Sequence, residues 1–550
     1  MVFPISVLFV SLLIALFIAR RLLSQYVADR HYRRFMHKNG CAEPPRDVNK
    51  LPGGIEKLFK FVNFKGDLMD DIIIPPYYEL GWTYKTTGTF GKQNIMTTEP
   101  QNIQALLVWR FKDFQVGEAR EHMFGPLLGY GIATSDGPFW EHSRALMTPQ
   151  FSRDQITDFH DMEVQMQNLF KAISVRSKDF AEAVDLMPIF YRFTLDIATE
   201  FLFGQSVFSQ LASLKALPSE VEKGQAVQDD HASKEEVEAR IVNENNQKFA
   251  EALQYAMDFL AWRLRLQGLY WLCNSARFRE ACTVVHRFAD RFVDRALHPE
   301  KKKSVGNPSV ERKERFVLLD AIAADSQNPR ELRNHLLQVL NGGRDTTGSL
   351  LTWLFALLPR YPDVFHKLRS EILSVFGAED DPNRLEITAD RMKSINYLRW
   401  FVNETLRLFP VVPNNNRIAA CDTVLPRGGG PDGSQPIAVM KGQVVAYTVY
   451  GIHRRKDIWG PDAAEFKPER WENRKPGPEF LPFNTGPRVC IGQQFALNEV
   501  NYVVVRMLQR FDKIELADPN EKLEKKVSMG LTPANGAKVR LHHRRRGMAD

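Results

Sequence analysis

The residues best equipped for chemistry are gathered in FNTGPRVCIG, Phe483 to Gly492. Cys490 sits between Arg488 and Gly492, with Gly486 upstream. The following QQFALNEVNYVVVRMLQRF places Phe495, Ala496, Val500, Val503, Val504, Met507 and Leu508 on one helical face. The cysteine therefore stands at or just before a helix N-terminus, where backbone N–H groups and the positive end of the dipole favour a thiolate. Glycines at 486 and 492 permit unusual backbone angles and the close approach of a flat partner. Arg488 is suited to pair with a carboxylate on such a partner. A thiolate in this setting serves as a nucleophile or as a metal ligand. Nucleophilic catalysis asks for a nearby base, and no histidine occurs between His453 and His542. That turns the reading toward a ligand, and away from the inert thiol of an ordinary core cysteine.

Other stretches carry paired features. In LLQVLNGGRDTTGSLLTWLFALL, glycines and threonines interrupt a strong helical apolar pattern. Glycine within a helix costs about 1 kcal/mol relative to alanine, and a threonine hydroxyl bonds back to the carbonyl four residues earlier. Thr346 is thus expected on the Gly342 carbonyl, opening a local groove; a kinked packing helix is the plainer alternative. Glu404 and Arg407 in NETLRLFP share a helical face at i, i+3, a spacing that alone makes a weak surface pair. Trp140 and Arg144 in WEHSR stand one turn apart, where a solvated helix charge is the ordinary expectation.

Phe483, Gly486, Arg488, Cys490 and Gly492 match F-x-x-G-x-R-x-C-x-G, and the chain resembles the haem-thiolate monooxygenases, the cytochromes P450. GGRDTT, Glu404 with Arg407, Arg470 in FKPERW, and Trp140 with Arg144 stand in that family's order, so the resemblance runs from about residue 50 to the end. It implies haem b with Cys490 as the axial ligand of its iron, a thiolate whose electron density favours O–O cleavage. It implies Phe483, Gly486 and Gly492 around the haem face, and Arg488, Trp140, Arg144 and Arg417 on the propionate side. Thr346 would organise proton delivery to oxygen with the help of Asp345, while Glu404, Arg407 and Arg470 would form a buried triad that locks the fold.

Longer strings, among them GIATSDGPFWEHSRALMTPQF, HRRKDIWGPDAAEFKPERW and FNTGPRVCIGQQFALNE, resemble the fungal microsomal branch that hydroxylates n-alkanes and fatty acids at the chain end. The resemblance implies dioxygen and a lipophilic substrate. Electrons would come from NADPH through a separate NADPH-cytochrome P450 reductase, with cytochrome b5 as an additional donor. Where that branch shows apolar residues around one asparagine, this chain has Asn414, Asn415 and Asn416. Amides cost desolvation against a bare alkyl chain and suit a hydroxyl, carbonyl or carboxylate. Asn414 and Asn416 are therefore candidate substrate contacts, and a polyketide or terpenoid metabolite is the alternative substrate; equally, the amides face solvent or the propionates. Phe124, Leu127, Leu128 and Ile132 are candidate apolar lining. A haem-thiolate isomerase or dehydratase is opposed by the intact Thr346 and Asp345. A membrane haem protein without oxygen chemistry is opposed by the thiolate and the groove.

The elements that must position these groups follow from pattern. The fold class expected is mainly α with small β-sheets (α+β), the haem lying between the long central helix and the cysteine loop. WTYKTTGTFGKQNIMTTEP and VLPRGGGPDGSQPIAVMKGQVVAYTVY read as short strands, and Asn535-Gly536 as a hairpin turn. Leu217 to Arg240 is polar and charged and reads as an exposed loop or mobile helix ends. With strand pieces from both ends of the chain, 55–550 is expected to form one interleaved catalytic domain.

Phe3 to Ala19 is continuously apolar and is followed by RRLLSQYVADRHYRRFMHK. Positive charge after the apolar run, not before it, favours an anchor over a cleaved signal, with the body of the protein in the cytosol. Residues 1–24 are thus expected to be a transmembrane anchor in the endoplasmic reticulum, and 25–54 a basic, Pro/Gly-rich hinge. The formal net charge of +7 is concentrated near the ends without a basic-aromatic groove, which excludes nucleic acid as the partner. Five cysteines in no paired spacing are neither a disulfide framework nor a zinc site and suit a reducing compartment.

Overall fold

The computed structural model describes residues 3–48, 54–152, 159–176, 182–215, 234–298 and 316–543. Its principal helices are α1 (Phe3–Lys38), α2 (Glu118–Leu128), α3 (Gly137–Met147), α4 (Leu186–Phe203), α5 (Lys234–Arg265), α6 (Ala276–Leu297), α7 (Pro329–Leu357), α8 (Asn396–Leu408) and α9 (Gln493–Arg510). Most of the polar segment from Leu217 lies outside the described residues; its last part forms the start of α5.

The strands are β1 (Arg46–Asp47), β2 (Thr83–Thr87), β3 (Gln93–Thr97), β4 (Phe114–Gln115), β5 (Val184–Asp185), β6 (Asn414–Ala419), β7 (Thr423–Gly429), β8 (Gln435–Val439), β9 (Val444–Thr448), β10 (Phe511–Leu516), β11 (Lys525–Val527), β12 (Leu531–Pro533) and β13 (Lys538–His543). The largest sheet has the order β1-β2-β3-β9-β6-β4. In it Ile95 is in register with Val445 and Arg417 with Val445 on the other side, so early and late parts of the chain form one layer. The Asn535-Gly536 turn is present, with Gly536 at φ 76, but it does not close a hairpin. β12 pairs with β11 while β13 pairs with β10 and β5, because the turn carries the chain from one sheet to another.

α7 organises the interior. Asn328 caps it by accepting from Arg330 N and Glu331 N, and Pro329 occupies the first turn, where no N–H is needed. Leu332, Leu336, Leu337 and Leu340 on its first half join one apolar cluster, with α5 and α6. Leu350, Leu351, Trp353, Leu354 and Phe355 on its second half join another, with α4, α8 and α9. Each such side chain contributes roughly 1.5–3 kcal/mol on burial. Between the two clusters lies the segment Asn341 to Ser349, small and polar. Both Ser349 Oγ and Trp353 Nε1 donate to Leu531 O, at 2.7 and 2.8 Å, tying the β11–β12 hairpin to this helix.

α1 is one uninterrupted helix. Its C-terminal part docks on the sheet, where His31 meets Asp422 at 2.6 Å and Tyr32 and Glu43 share Lys85. The side chains of much of its apolar beginning lie outside the described residues. Among the described residues no helix is long and apolar enough to cross a membrane.

Candidate active site

The cysteine loop is shaped by its backbone. Gly486 has φ +74, and a Cβ there would stand 2.0 Å from Leu107 O, so only glycine lets the loop pass this close. Asn484 also takes a left-handed conformation (φ 60) and accepts from Tyr447 OH at 2.7 Å. Cys490 N donates to Phe483 O at 3.0 Å, and Arg144 Nη1 holds the Val489 carbonyl at 2.8 Å. α9 begins only after Gly492, where a Cβ would meet nothing closer than Phe151 at 3.8 Å.

Cys490 keeps accessible surface although protein surrounds it densely. That burial pushes its thiol pKa up, against the lowering pull of the Gly492 N–H and the Arg144 guanidinium. The helix N-terminus is therefore not sufficient to hold a thiolate, contrary to the expectation from sequence, because desolvation outweighs it. A bound metal cation reverses that balance by deprotonating a coordinating thiol outright.

Beside the loop, four arginines from separate elements converge: Arg120 of α2, Arg144 of α3, Arg417 of β6 and Arg488. Arg488 Nη2 is held by Ser135 O at 3.0 Å and Asp136 Oδ1 at 2.7 Å, with the guanidinium 4.3 Å from the Trp140 ring centroid. Arg417 is 3% exposed and donates to Asn416 O at 2.8 Å and Asn415 Oδ1 at 3.3 Å. Burial and then Arg417 pull Arg120 down to about 10. Arg488 is likewise pulled down to about 10, chiefly by burial, with Asp136 opposing and Arg417 and Arg144 adding to it. The Nε atoms of Arg417 and Arg488 are buried and without a hydrogen-bond partner.

Sequence reasoning missed Arg120 and Asp136. Asp136 also accepts from Val116 N and Gly117 N, at 2.9 and 2.8 Å; its position just before α3 was the one available signal. Part of the asparagine run hydrogen-bonds into this cluster. Arg120 Nη2 donates to Asn415 Oδ1 at 2.7 Å and Asn416 Oδ1 at 3.3 Å, and Asn414 Nδ2 lies 3.4 Å from Met69 Sδ.

On α7, Thr346 Oγ1 donates to Gly342 O at 2.5 Å, the back-bond expected from its spacing. Asp345 is turned toward Arg344, whose Nη1 donates to Asp345 Oδ1 at 2.7 Å. Burial, opposed by Arg344 and reinforced by Asp258, pushes the Asp345 carboxyl above its ordinary range. Glu404, Arg407 and Arg470 are brought together: Arg407 Nε and Nη2 each meet the Glu404 carboxylate at 2.8 Å, and Arg470 Nε meets it at 3.3 Å. Trp471 Nε1 and Lys467 N also donate to it at 3.0 Å each, so both oxygens of the buried Glu404 carboxyl are hydrogen-bonded. Leu127 and Leu128 are core residues of the cluster that α7 shares with α5 and α6, and Phe124 and Ile132 pack against it.

The residues fit haem. Four guanidiniums with Asp136 as the carboxylate among them leave an excess of positive charge and unmet donors, which suits the two propionates, and a soft thiol donor that keeps accessible surface stands beside them. The family model for cytochrome P450 matches residues 86–541. The chain is 44% identical over 527 residues to cytochrome P450 monooxygenase g430 of a Fusarium species, covering 95% of this chain and 88% of that one. It is 42% identical over 526 residues to cytochrome P450 52A5 of Candida maltosa, covering 94% of each, and 41% identical over 453 residues to cytochrome P450 52A1 of Candida tropicalis, covering 82% and 78%. With the cysteine loop, the arginine cluster and the Thr346 back-bond on the central helix in place, the chain belongs to the cytochrome P450 family, haem-thiolate monooxygenases that draw electrons through a reductase.

Proposed function

We propose that this protein hydroxylates a long lipophilic chain, a fatty acid, an alkane or a similar molecule, near its end. The observation that carries the reading is the unmatched positive cluster beside a glycine-shaped cysteine loop. When bound, haem supplies the reductive activation of dioxygen and the insertion of one oxygen atom into a C–H bond. Cys490 would hold its iron, and Arg120, Arg144, Arg417 and Arg488 its propionates. The Thr346 hydroxyl, donating to Gly342 O, keeps its lone pairs free to hold a proton-carrying water in the groove. Asp345, whose carboxyl is raised above its ordinary range by burial, holds a proton more readily than an exposed carboxylate and passes it to that water. Apolar residues around Phe124 and Leu128 exclude bulk water from the reacting end of the chain.

The membrane is the proposed setting, reached from the endoplasmic-reticulum surface through residues 1–24. Phe9, Leu12, Leu13, Leu16, Phe17 and Ile18 are all at least 50% exposed, as a lipid-facing helix would be. A second apolar surface, Trp262, Trp271 and Leu272 with Phe59, supports contact with the bilayer beyond the anchor.

The experiment has two readouts. The ferrous carbon monoxide complex is expected to show the strongly red-shifted band of thiolate ligation, and Cys490→His to lose it; an unshifted band in the unmutated protein would remove Cys490 as the ligand. Incubation with reductase, NADPH and a panel of fatty acids and alkanes is expected to give terminally hydroxylated products. Turnover confined to ring or polyketide substrates would overturn the chain-hydroxylase reading.

A further inference from the structure

α2 carries a proline, Pro126, near its C-terminal end. A proline within a helix lacks the N–H and crowds the carbonyl four residues earlier, so the His122 carbonyl loses its usual helical donor, the N–H at position 126. The donor comes from α5. Arg263, 4% exposed, gives Nη2 to His122 O at 2.8 Å and Nε to the adjacent Met123 O at 2.9 Å. Its Nη1 reaches Cys273 O at 2.6 Å, in the turn that leads from α5 into α6. A guanidinium serves three carbonyls in fixed fork geometry, which a lysine ammonium does not. The carbonyls that follow are held too. His286 of α6 takes Leu127 O at 2.8 Å. Gln338 of α7 takes Leu128 O and Gly129 O at 3.3 and 3.2 Å.

α2 bears Arg120 at its beginning, then Phe124 and Leu128. We propose that Arg263 is a positioning residue that determines specificity: it replaces the hydrogen bond removed by Pro126, fixes the course of α2, and so sets where Phe124 and Leu128 stand against the substrate chain. The inference rests on the reading of those two residues as pocket lining.

A double-mutant cycle on the holoenzyme tests it. With alanine at 126, the His122 carbonyl regains a partner inside its own helix, so Pro126→Ala should offset the loss of Arg263. Arg263→Met is expected to raise hydrogen exchange in residues 118–130 about tenfold and to weaken binding of the preferred fatty acid, read by the spin-state shift, by a similar factor. It should also flatten the chain-length preference across a graded series. Arg263→Met with Pro126→Ala should recover most of each effect, and Arg263→Lys little; these two variants serve if Arg263→Met alone does not fold. Exchange in 118–130 that is unchanged on loss of Arg263, or strictly additive effects at 126 and 263, would overturn the clamp. Coupled exchange with an unaltered chain-length preference would leave the clamp but overturn the specificity role, because Phe124 and Leu128 would then not line the pocket.

Discussion

Thr346 donates its only hydroxyl hydrogen to Gly342 O, at 2.5 Å, so toward any further partner it acts as an acceptor. Thr346→Ala removes that acceptor while the helix keeps its course, and a positioned proton-transfer group contributes on the order of 10²–10⁴ in rate. The expected outcome is product per NADPH reduced by about tenfold or more, with peroxide released in its place; unchanged coupling would take Thr346 out of proton delivery. Arg120 makes a second case. Loss of a buried charge-assisted donor costs about 1.5–3 kcal/mol, so Arg120→Met is expected to weaken haem retention roughly 10- to 100-fold, measured as transfer of haem to an apo-acceptor protein. Cys490 and Thr346 were legible as candidates because their neighbours break the local pattern. Arg120 was not, since one arginine in EAREHMFGPLL carries no local mark, and its side-chain hydrogen-bond partners Asn415 and Asn416 come from the strand Asn414–Ala419, about 300 positions later.

At the scale of elements, the central helix is two apolar halves joined by a small polar segment, and that division was visible in the sequence. What the sequence left hidden was the change of sheet at Gly536: a strong turn signal states that the chain reverses, not which strand receives it. The β11–β12 hairpin is held to α7 through Leu531 O, which accepts from Ser349 and Trp353. Trp353→Phe keeps most of the apolar area but removes one donor, at a cost of about 1 kcal/mol. The expected result is faster hydrogen exchange in 525–533, with the remainder of the fold protected as before. The surface at Trp271 and Leu272 makes a prediction of its own. A protein lacking residues 1–38 should still sediment with phospholipid vesicles in high salt, and Trp271→Asp with Leu272→Asp should release it.

At the scale of the whole molecule, His453 joins two regions that must agree. Its Nδ1–H is on Arg407 O at 3.0 Å and its Nε2 accepts from Leu481 N at 2.9 Å, so the buried ring is neutral and links the Glu404 triad to the start of the cysteine loop. Burial, followed by Arg407, pulls its pKa down to about 3. The unfolded chain therefore takes up this proton first as pH falls. The stabilisation is complete above about pH 6.5 and is lost progressively from there toward pH 3, several kcal/mol in all. His453→Gln should give a less stable protein at pH 7 with a flatter acid limb, read from urea unfolding across that range. Glu404→Ala, which strands the buried Arg407 guanidinium, is expected to cost about 3–5 kcal/mol and to abolish folding at physiological temperature.

The mixed sheet also has a history in time. β2 and β3 leave the ribosome early, but the strand that closes their edge, β9, lies beyond α7 and α8. At about 5–20 residues per second, synthesis keeps that edge open for tens of seconds. During this interval the nascent chain exposes an unpaired row of backbone N–H and C=O groups. Of the elements that meet β2 and β3 in the finished fold, β1, α1 and the short helix Pro75–Leu80 are then already made, and the outer edge of β3 has no mature partner until Val445 arrives opposite Ile95.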